Sequence, residues 1–313
     1  MIKEDVSFLS SDKKNNIYAI CCSPSNGQFS KILQIVHGMT EYIEKYLPFI
    51  EYLTSNGFIV VGHDQLGHGN SFTKSEDQGY FGEPEPDILL IEDIHILRLK
   101  IQEKYPKIPY FMIGHSMGSY LLREYVTMHS QDLSGAIFMS TGYVSPCIAA
   151  CSLKFLKIIA CFKGWHHKSN LVDRMIFGGG DDSKKDDDLT KNWLTRDLEK
   201  AKILLSDKKS NFRFTLNGYY GLFSAIQKSC DPANLVKIKK DLPILFISGD
   251  CDPVGENGKG VKKIFDLMKA VGTLDVTMKL FEKDRHELLM ELDKADVYQY
   301  IKVWIEKKCL LNN

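Results

Sequence analysis

The stretch PYFMIGHSMGSYLLREY, residues 109 to 125, sets Gly114 and Gly118 around Ser116 inside an otherwise apolar run. Glycine weakens the interior of strands and helices alike, so it is placed there when the backbone itself needs it. Tyr110 to Ile113 is rich in aromatic and β-branched residues and reads as a strand, whereas Met117 to Tyr125 has helical spacing. The glycines therefore mark a strand-to-helix turn too tight for side chains, with Ser116 at its apex. The plainer reading is a packing turn with an incidental serine, and the rest of the chain has to decide between the two.

The alternation continues along the sequence. Ile32 to Val36, Phe58 to Val61, Ala136 to Met139, Ile244 to Ile247 and Val276 to Leu280 are short apolar runs that stop at Gly, His or Asp. Residues 46 to 56, 87 to 104, 117 to 129, 258 to 271 and 292 to 308 show helical spacing. Strand then helix, repeated, predicts an α/β protein with a mostly parallel central sheet covered on both faces. The opening stretches DVSFLS and NIYAICC read as an antiparallel hairpin at the sheet's edge.

The rhythm breaks between residues 142 and 238. That segment holds an apolar run at 147 to 162, the polar stretch GGGDDSKKDDD at 178 to 188 and two further helical patterns, with no convincing central strand. It reads as one helical insertion, a cap, dividing a core made of residues 1–141 and 239–313. The aspartate-rich stretch lacks the ligand alternation of a calcium loop and reads as a solvated loop.

Composition narrows the function classes. The 313 residues are 44% hydrophobic, enough for a large core, and 40 basic residues balance 40 acidic ones, so nucleic acid is not the expected partner. The charged N-terminal stretch does not resemble a signal peptide, and a cytoplasmic location is expected. Eight cysteines without CxxC or zinc spacing read as buried thiols of a reducing compartment. The 147 to 162 run carries Lys154 and Lys157 and is shorter than the ~20 residues of a membrane span.

A serine hydroxyl attacks only when a base removes its proton, and the base needs a carboxylate to hold its tautomer. Both partners are expected in loops following later strands. Asp250 and Asp252 follow the strand PILFISG, and His286 follows VTMKLFE, giving the order Ser, Asp, His. Asp252 precedes Pro253, which restrains its backbone, and is preferred as the acid; Asp250 at the strand end suits a turn-capping role. Asp284 reads as a solvated loop charge. His37 is the alternative base by residue type, but its place before the acid favours a loop-shaping role. Backbone N–H groups of Met117 and Met39, each in the turn after a strand, are the candidate donors for a tetrahedral oxyanion.

Taken together, HGMTEYIEKY (37–46), GHDQLGHGNS (62–71), GHSMGS (114–119), NWLTRD (192–197), SGDCDPVG (248–255) and RHELLME (285–291) resemble the α/β-hydrolase fold, within it the monoacylglycerol lipase and lysophospholipase-like group, also labelled serine aminopeptidase-like. The resemblance implies Ser116, Asp252 and His286 as a triad, Met39 and Met117 as oxyanion donors, a cap over the site, and structural roles for Asp64, His68 and Gly69. It implies a serine hydrolase cleaving the ester of a small molecule or monoacyl lipid, with neither metal nor organic cofactor. An aminopeptidase or amidase on the same fold, and a non-catalytic ligand-binding protein, are the alternatives. In the cap run, Leu153, Leu156 and Ile159 are the candidate acyl-contacting residues, and the same helix is a candidate for transient membrane-surface contact with Lys154 and Lys157 toward headgroups.

Overall fold

A computed structural model describes residues 1–176 and 192–311. In chain order the strands are β1 (Ile2–Asp5), β2 (Phe8–Leu9), β3 (Asn16–Ile17), β4 (Ala19–Ser23), β5 (Lys31–Val36), β6 (Phe58–His63), β7 (Tyr110–His115), β8 (Gly135–Met139), β9 (Ile244–Gly249) and β10 (Val276–Phe281). Helices α1 (Leu47–Thr54) and α2 (Pro86–Lys104) flank β6, and α3 (Met117–His129) follows β7. Between β8 and β9 lie α4 (Pro146–Lys163), α5 (Asn170–Ile176), α6 (Leu198–Ser206), α7 (Leu216–Ser229) and α8 (Pro232–Leu235); α9 (Lys259–Ala270) and α10 (Lys294–Leu311) complete the chain.

Eight strands form one sheet in the order β1-β4-β6-β5-β7-β8-β9-β10. The pairs from β6 through β10 are parallel, while β1 and β4 join antiparallel at one edge. Successive side chains of a strand point to opposite faces, and the core divides accordingly. Tyr110, Met112, Ala136, Phe138, Ile244 and Phe246 enter a cluster with α2, α3 and α9. Their neighbours Phe111, Ile113, Ile137, Met139, Leu245 and Ile247 enter a second cluster with α1 and α10. Burial on both faces is why these strands read as unbroken apolar runs. On α10, Val297, Ile301 and Ile305 are fully buried; at roughly 1.5–3 kcal/mol each, they dock the helix whatever its intrinsic propensity.

The expected antiparallel hairpin of DVSFLS with NIYAICC is present at the sheet's edge but interrupted: β1 pairs with β4, while Phe8–Leu9 pairs with Asn16–Ile17 as a separate two-stranded ladder. Asp5 Oδ1 accepts from the Ser7 N–H at 2.8 Å, a local turn that competes with the ladder and breaks the first strand. Two other expectations need correction. The insertion carries more helix than periodicity indicated, because α5 and α8 have only 7 and 4 residues, too few to display a period. The cysteines are unpaired, but Cys147, Cys151, Cys161 and Cys251 are exposed rather than buried. The first three share the outer face of α4, which packs inward on α7. The stretch GGGDDSKKDDD lies outside the described residues. Among the described residues no helix is long and apolar enough to cross a membrane.

Candidate active site

Ser116 occupies the junction between β7 and α3 with φ +49° and ψ −118°, a backbone conformation that costs an L-residue about 1–3 kcal/mol and persists only where surroundings enforce it. The surroundings are its glycines. A Cβ on Gly114 would lie 2.3 Å from the Gly118 carbonyl oxygen, and one on Gly118 would lie 2.1 Å from that of Val36. Both contacts are with backbone, so neither position can yield. From Tyr110 to Val126 every residue except Ser116 is buried. The turn delivers one hydroxyl out of an otherwise closed layer.

The loops after β9 and β10 meet beside it. His286 Nδ1 lies 3.0 Å from both carboxylate oxygens of Asp252, and the pair is nearly sealed from solvent, at 3% and 0% exposure. Val254 N–H donates to Asp252 Oδ1 at 2.9 Å. Burial works to raise the Asp252 carboxyl, but the His286 charge and hydrogen bond and the Val254 N–H outweigh it and hold the group below its ordinary value. With Nδ1–H committed to the carboxylate, Nε2 is the ring nitrogen left to accept a proton. The His286 carbonyl accepts from the Ser140 hydroxyl at 2.6 Å, and Ser116 N–H donates to Met139 O at 3.0 Å. The end of β8 thus braces the serine turn and the histidine loop together.

The competing acids separate clearly. Asp250 is half-buried and accepts from the Lys283 N–H at 2.7 Å, the turn-capping role expected of it. Asp284 is not a solvated charge: it is fully buried and pairs with Arg196, whose guanidinium also meets Glu291 at 3.1 Å and Asp293 at 2.7 Å. Arg196 arrives from the segment before α6, and that segment runs along the histidine loop. His286 N–H donates to Trp193 O and Glu287 N–H to Leu194 O, and the Trp193 ring lies 5.0 Å from the His286 ring.

On the opposite side, Met39 follows His37 and Gly38 after β5. His37 is fully buried, accepts from Gln65 N–H at Nε2 (2.8 Å) and donates from Nδ1 to the Gly38 carbonyl (2.8 Å). Burial pushes its pKa down to about 4, so it shapes the loop as a neutral ring and is not free to act as a base. The close approach of Gly118 to the backbone of Val36 and His37 sets the first turn of α3, with Met117, against this loop. Asp64 accepts from the N–H groups of Ile43 (2.7 Å) and Asn70 (2.8 Å) and is pushed up to about 6 by burial. A Cβ on Gly69 would meet its carboxylate at 2.0 Å. Asp64 and Gly69 hold a loop, and the buried His68 packs among Phe81, Phe212 and Phe214.

In α4, Leu153 and Leu156 are buried, Ile159 is half-buried, and Leu156 and Ile159 belong to the same core cluster as Leu216 and Tyr219 of α7. They face inward, while Ile148, Ile158 and Phe162 are 61, 60 and 81% exposed on the other side. Two clusters among the described residues have the spacing of metal ligands, Glu41–His115–Glu287 and Asp284–Glu291–Asp293. Each already holds a side-chain cation, Lys45 in the first and Arg196 in the second. Glu41, His115, Trp193 and Arg196 lie inside the stretches that carry the resemblance, yet the sequence assigns no role to them or to Ser140, because what marks them is mostly contact across long separations.

The sequence matches the serine aminopeptidase S33 family over residues 27–293. It is 24% identical to the monoglyceride lipase of Rattus norvegicus, over 90% of this chain and 84% of that one. It is 22% identical to the monoglyceride lipase of Homo sapiens, over 88% and 82%. Among solved structures, a highly thermostable carboxyl esterase from Bacillus coagulans, in complex with glycerol, superposes with a TM-score of 0.89 at 29% identity, covering 98% of this chain and 99% of the other. A soluble variant of monoglyceride lipase from Saccharomyces cerevisiae, in complex with a substrate analog, shares the fold with a TM-score of 0.77 at 20% identity over 97% and 94%.

Proposed function

Because the chain belongs to the serine aminopeptidase S33 family of α/β-hydrolases, we propose that it is a serine hydrolase that cleaves the carboxylic ester of a monoacyl lipid through an acyl-enzyme. The observation that supports this reading is a sealed Asp252–His286 pair whose loop accepts from Ser140 at the end of β8, next to Met139, which accepts from the backbone N–H of Ser116, the one unburied residue of the β7–α3 turn. Relatives named monoglyceride lipase support an ester in preference to an amide.

In the proposed mechanism His286 Nε2 takes the Ser116 hydroxyl proton as Oγ attacks the ester carbonyl. The carbonyl oxygen becomes an oxyanion held by the Met39 and Met117 N–H groups, and the positive end of α3 favours that charge. Collapse breaks the bond to the alcohol, which leaves with the proton from His286. Water then gives its proton to the same ring and attacks the acyl-enzyme, releasing the carboxylic acid and restoring Ser116. Asp252 stabilises the imidazolium in both halves. Residues 142–238 are the cap, and Leu153, Leu156 and Ile159 on the inner side of α4 are proposed to contact the acyl chain. The unpaired thiols suit a reducing compartment, which supports a cytoplasmic location.

Two measurements test this reading. Fluorophosphonate should label the protein once, with the adduct mapped to Ser116 by peptide mass spectrometry. Across p-nitrophenyl esters, kcat/KM is expected to rise about three- to fourfold per added methylene until the pocket is filled; acetate cleaved better than every longer chain would sink the lipid assignment.

The outer face of α4 supports transient contact with a lipid surface. Ile158 and Phe162 are exposed there, with Lys154 and Lys157 beside them. Ile158→Asp with Phe162→Asp should lower the fraction bound to phosphatidylcholine vesicles doped with phosphatidylglycerol by on the order of tenfold, with an unchanged melting temperature. Equal binding by variant and wild type rules the contact out.

A further inference from the structure

Among the described residues, a buried cluster of charged side chains lies beneath the proposed oxyanion loop. Glu41, His115 and Glu287 are 3, 3 and 7% exposed, and the Lys45 side chain is 9% exposed. Four ionisable groups are out of water together, an arrangement that costs several kcal/mol per ion unless each charge is paired and hydrogen-bonded.

Here the pairing is complete and centres on one carboxylate. Glu41 Oε2 accepts from the Gly38 N–H at 2.6 Å, from the Tyr46 hydroxyl at 2.5 Å and from His115 Nδ1 at 3.1 Å. Its Oε1 pairs with Lys45, which reaches on to Glu287 Oε1 at 2.9 Å. The other His115 nitrogen lies 3.3 Å from the His286 carbonyl oxygen. Both ring nitrogens of His115 therefore face acceptors, which only the doubly protonated imidazolium can satisfy. Burial would lower the His115 pKa, but Glu41 and Glu287 override it and push it up to about 9. Two cations and two anions balance.

Three of the four partners of Glu41 lead to different parts of the proposed machinery. Gly38 immediately precedes Met39, His115 immediately precedes Ser116, and Glu287, reached through Lys45, immediately follows His286. Gly38 is packed against the cluster so closely that a Cβ there would lie 2.8 Å from Glu41 Oε2 and 3.1 Å from His115 Nδ1. We infer that Glu41 is a positioning residue: by gripping the Gly38 N–H it fixes the His37–Gly38 peptide and with it the Gly38 Cα from which the Gly38–Met39 peptide follows, whose carbonyl also accepts from the Glu41 backbone N–H at 3.4 Å, and through His115 and Lys45 it holds this turn in register with the serine turn and the histidine loop. The inference rests on the serine-hydrolase reading above. Its chemical content is that Glu41 acts on the developing oxyanion through the backbone and touches no substrate.

A residue of this kind has a signature that a merely structural one lacks. Glu41→Gln keeps the shape but turns an amide toward Lys45 or toward Gly38 N–H, so one of the two grips is lost. Misaiming one oxyanion donor costs on the order of 100-fold in kcat, with KM changed by no more than about threefold. The inhibition constant of a long-chain alkyl trifluoromethyl ketone, which binds as a tetrahedral oxyanion, should rise in proportion to the loss in kcat/KM, while that of the matching alkyl ether stays constant.

The experiment measures p-nitrophenyl butyrate turnover, both inhibition constants and fluorophosphonate labelling for wild type and Glu41→Gln, with Tyr46→Phe alongside. Tyr46→Phe removes one hydrogen bond to Oε2 and no charge, and should show the same pattern at about three- to tenfold even if Glu41→Gln does not fold. Unchanged kcat in whichever variant folds, or equal loss of ketone and ether binding, overturns the proposal while leaving the hydrolase reading intact. A wild-type protein that neither turns over the ester nor labels at Ser116 overturns the hydrolase reading and the proposal together.

Discussion

Asp252→Asn is expected to lower kcat by about 10,000-fold, while Asp250→Asn leaves it within about threefold. The two aspartates are separated by one residue in sequence and by their environments in space. Asp252 is fully buried with both oxygens 3.0 Å from His286 Nδ1. An asparagine there keeps the volume but presents an amide N–H to the ring on one side, which favours Nδ1 as acceptor and moves the ring proton to Nε2. A histidine in that tautomer cannot take a proton from serine. Asp250 is half-buried and serves the Lys283 backbone, a contact whose loss disturbs a surface loop. Steady-state kinetics of the two variants on one ester decide the matter; the reverse ranking would mean that the other aspartate is the acid.

The second large effect is expected at Ser116. Ser116→Ala should reduce kcat by about a million-fold and abolish fluorophosphonate labelling, leaving only the residual rate that binding and oxyanion donors provide. The fold should not suffer. Alanine tolerates φ +49° no worse than serine does, and the bond from residue 116 N–H to Met139 O is made by the backbone. Unchanged melting with lost turnover separates chemistry from stability, whereas retained labelling would place the nucleophile elsewhere.

The sheet was readable because its strands are buried on both sides. A run such as Tyr110 to Ile113, feeding Tyr110 and Met112 to one core and Phe111 and Ile113 to the other, leaves no polar position to blur the pattern. The serine turn was readable because backbone contacts at 2.1 and 2.3 Å exclude every residue but glycine at 114 and 118. Asp252 and His286 were readable from position, each in the loop that follows a strand. Asp284 was misread for want of its partner: nothing near it in sequence announces Arg196, 88 residues away. The same limit hid the ties that run from Glu41 to the serine turn and the histidine loop, since His115 lies 74 residues from Glu41, and Lys45 is 242 residues from Glu287. Local patterning reports which face of an element is covered; it carries no information about which charges will meet once distant loops are folded together.

The Arg196 segment has a mechanical consequence. It is bolted to the histidine loop by three ion pairs and two backbone hydrogen bonds, and α7 is separately pinned to the main body through Asn217 and Thr215. Because α4 packs on α7, strain on α4 is passed to the Asn217 and Thr215 anchor, a different attachment from the one that holds residue 286 in place.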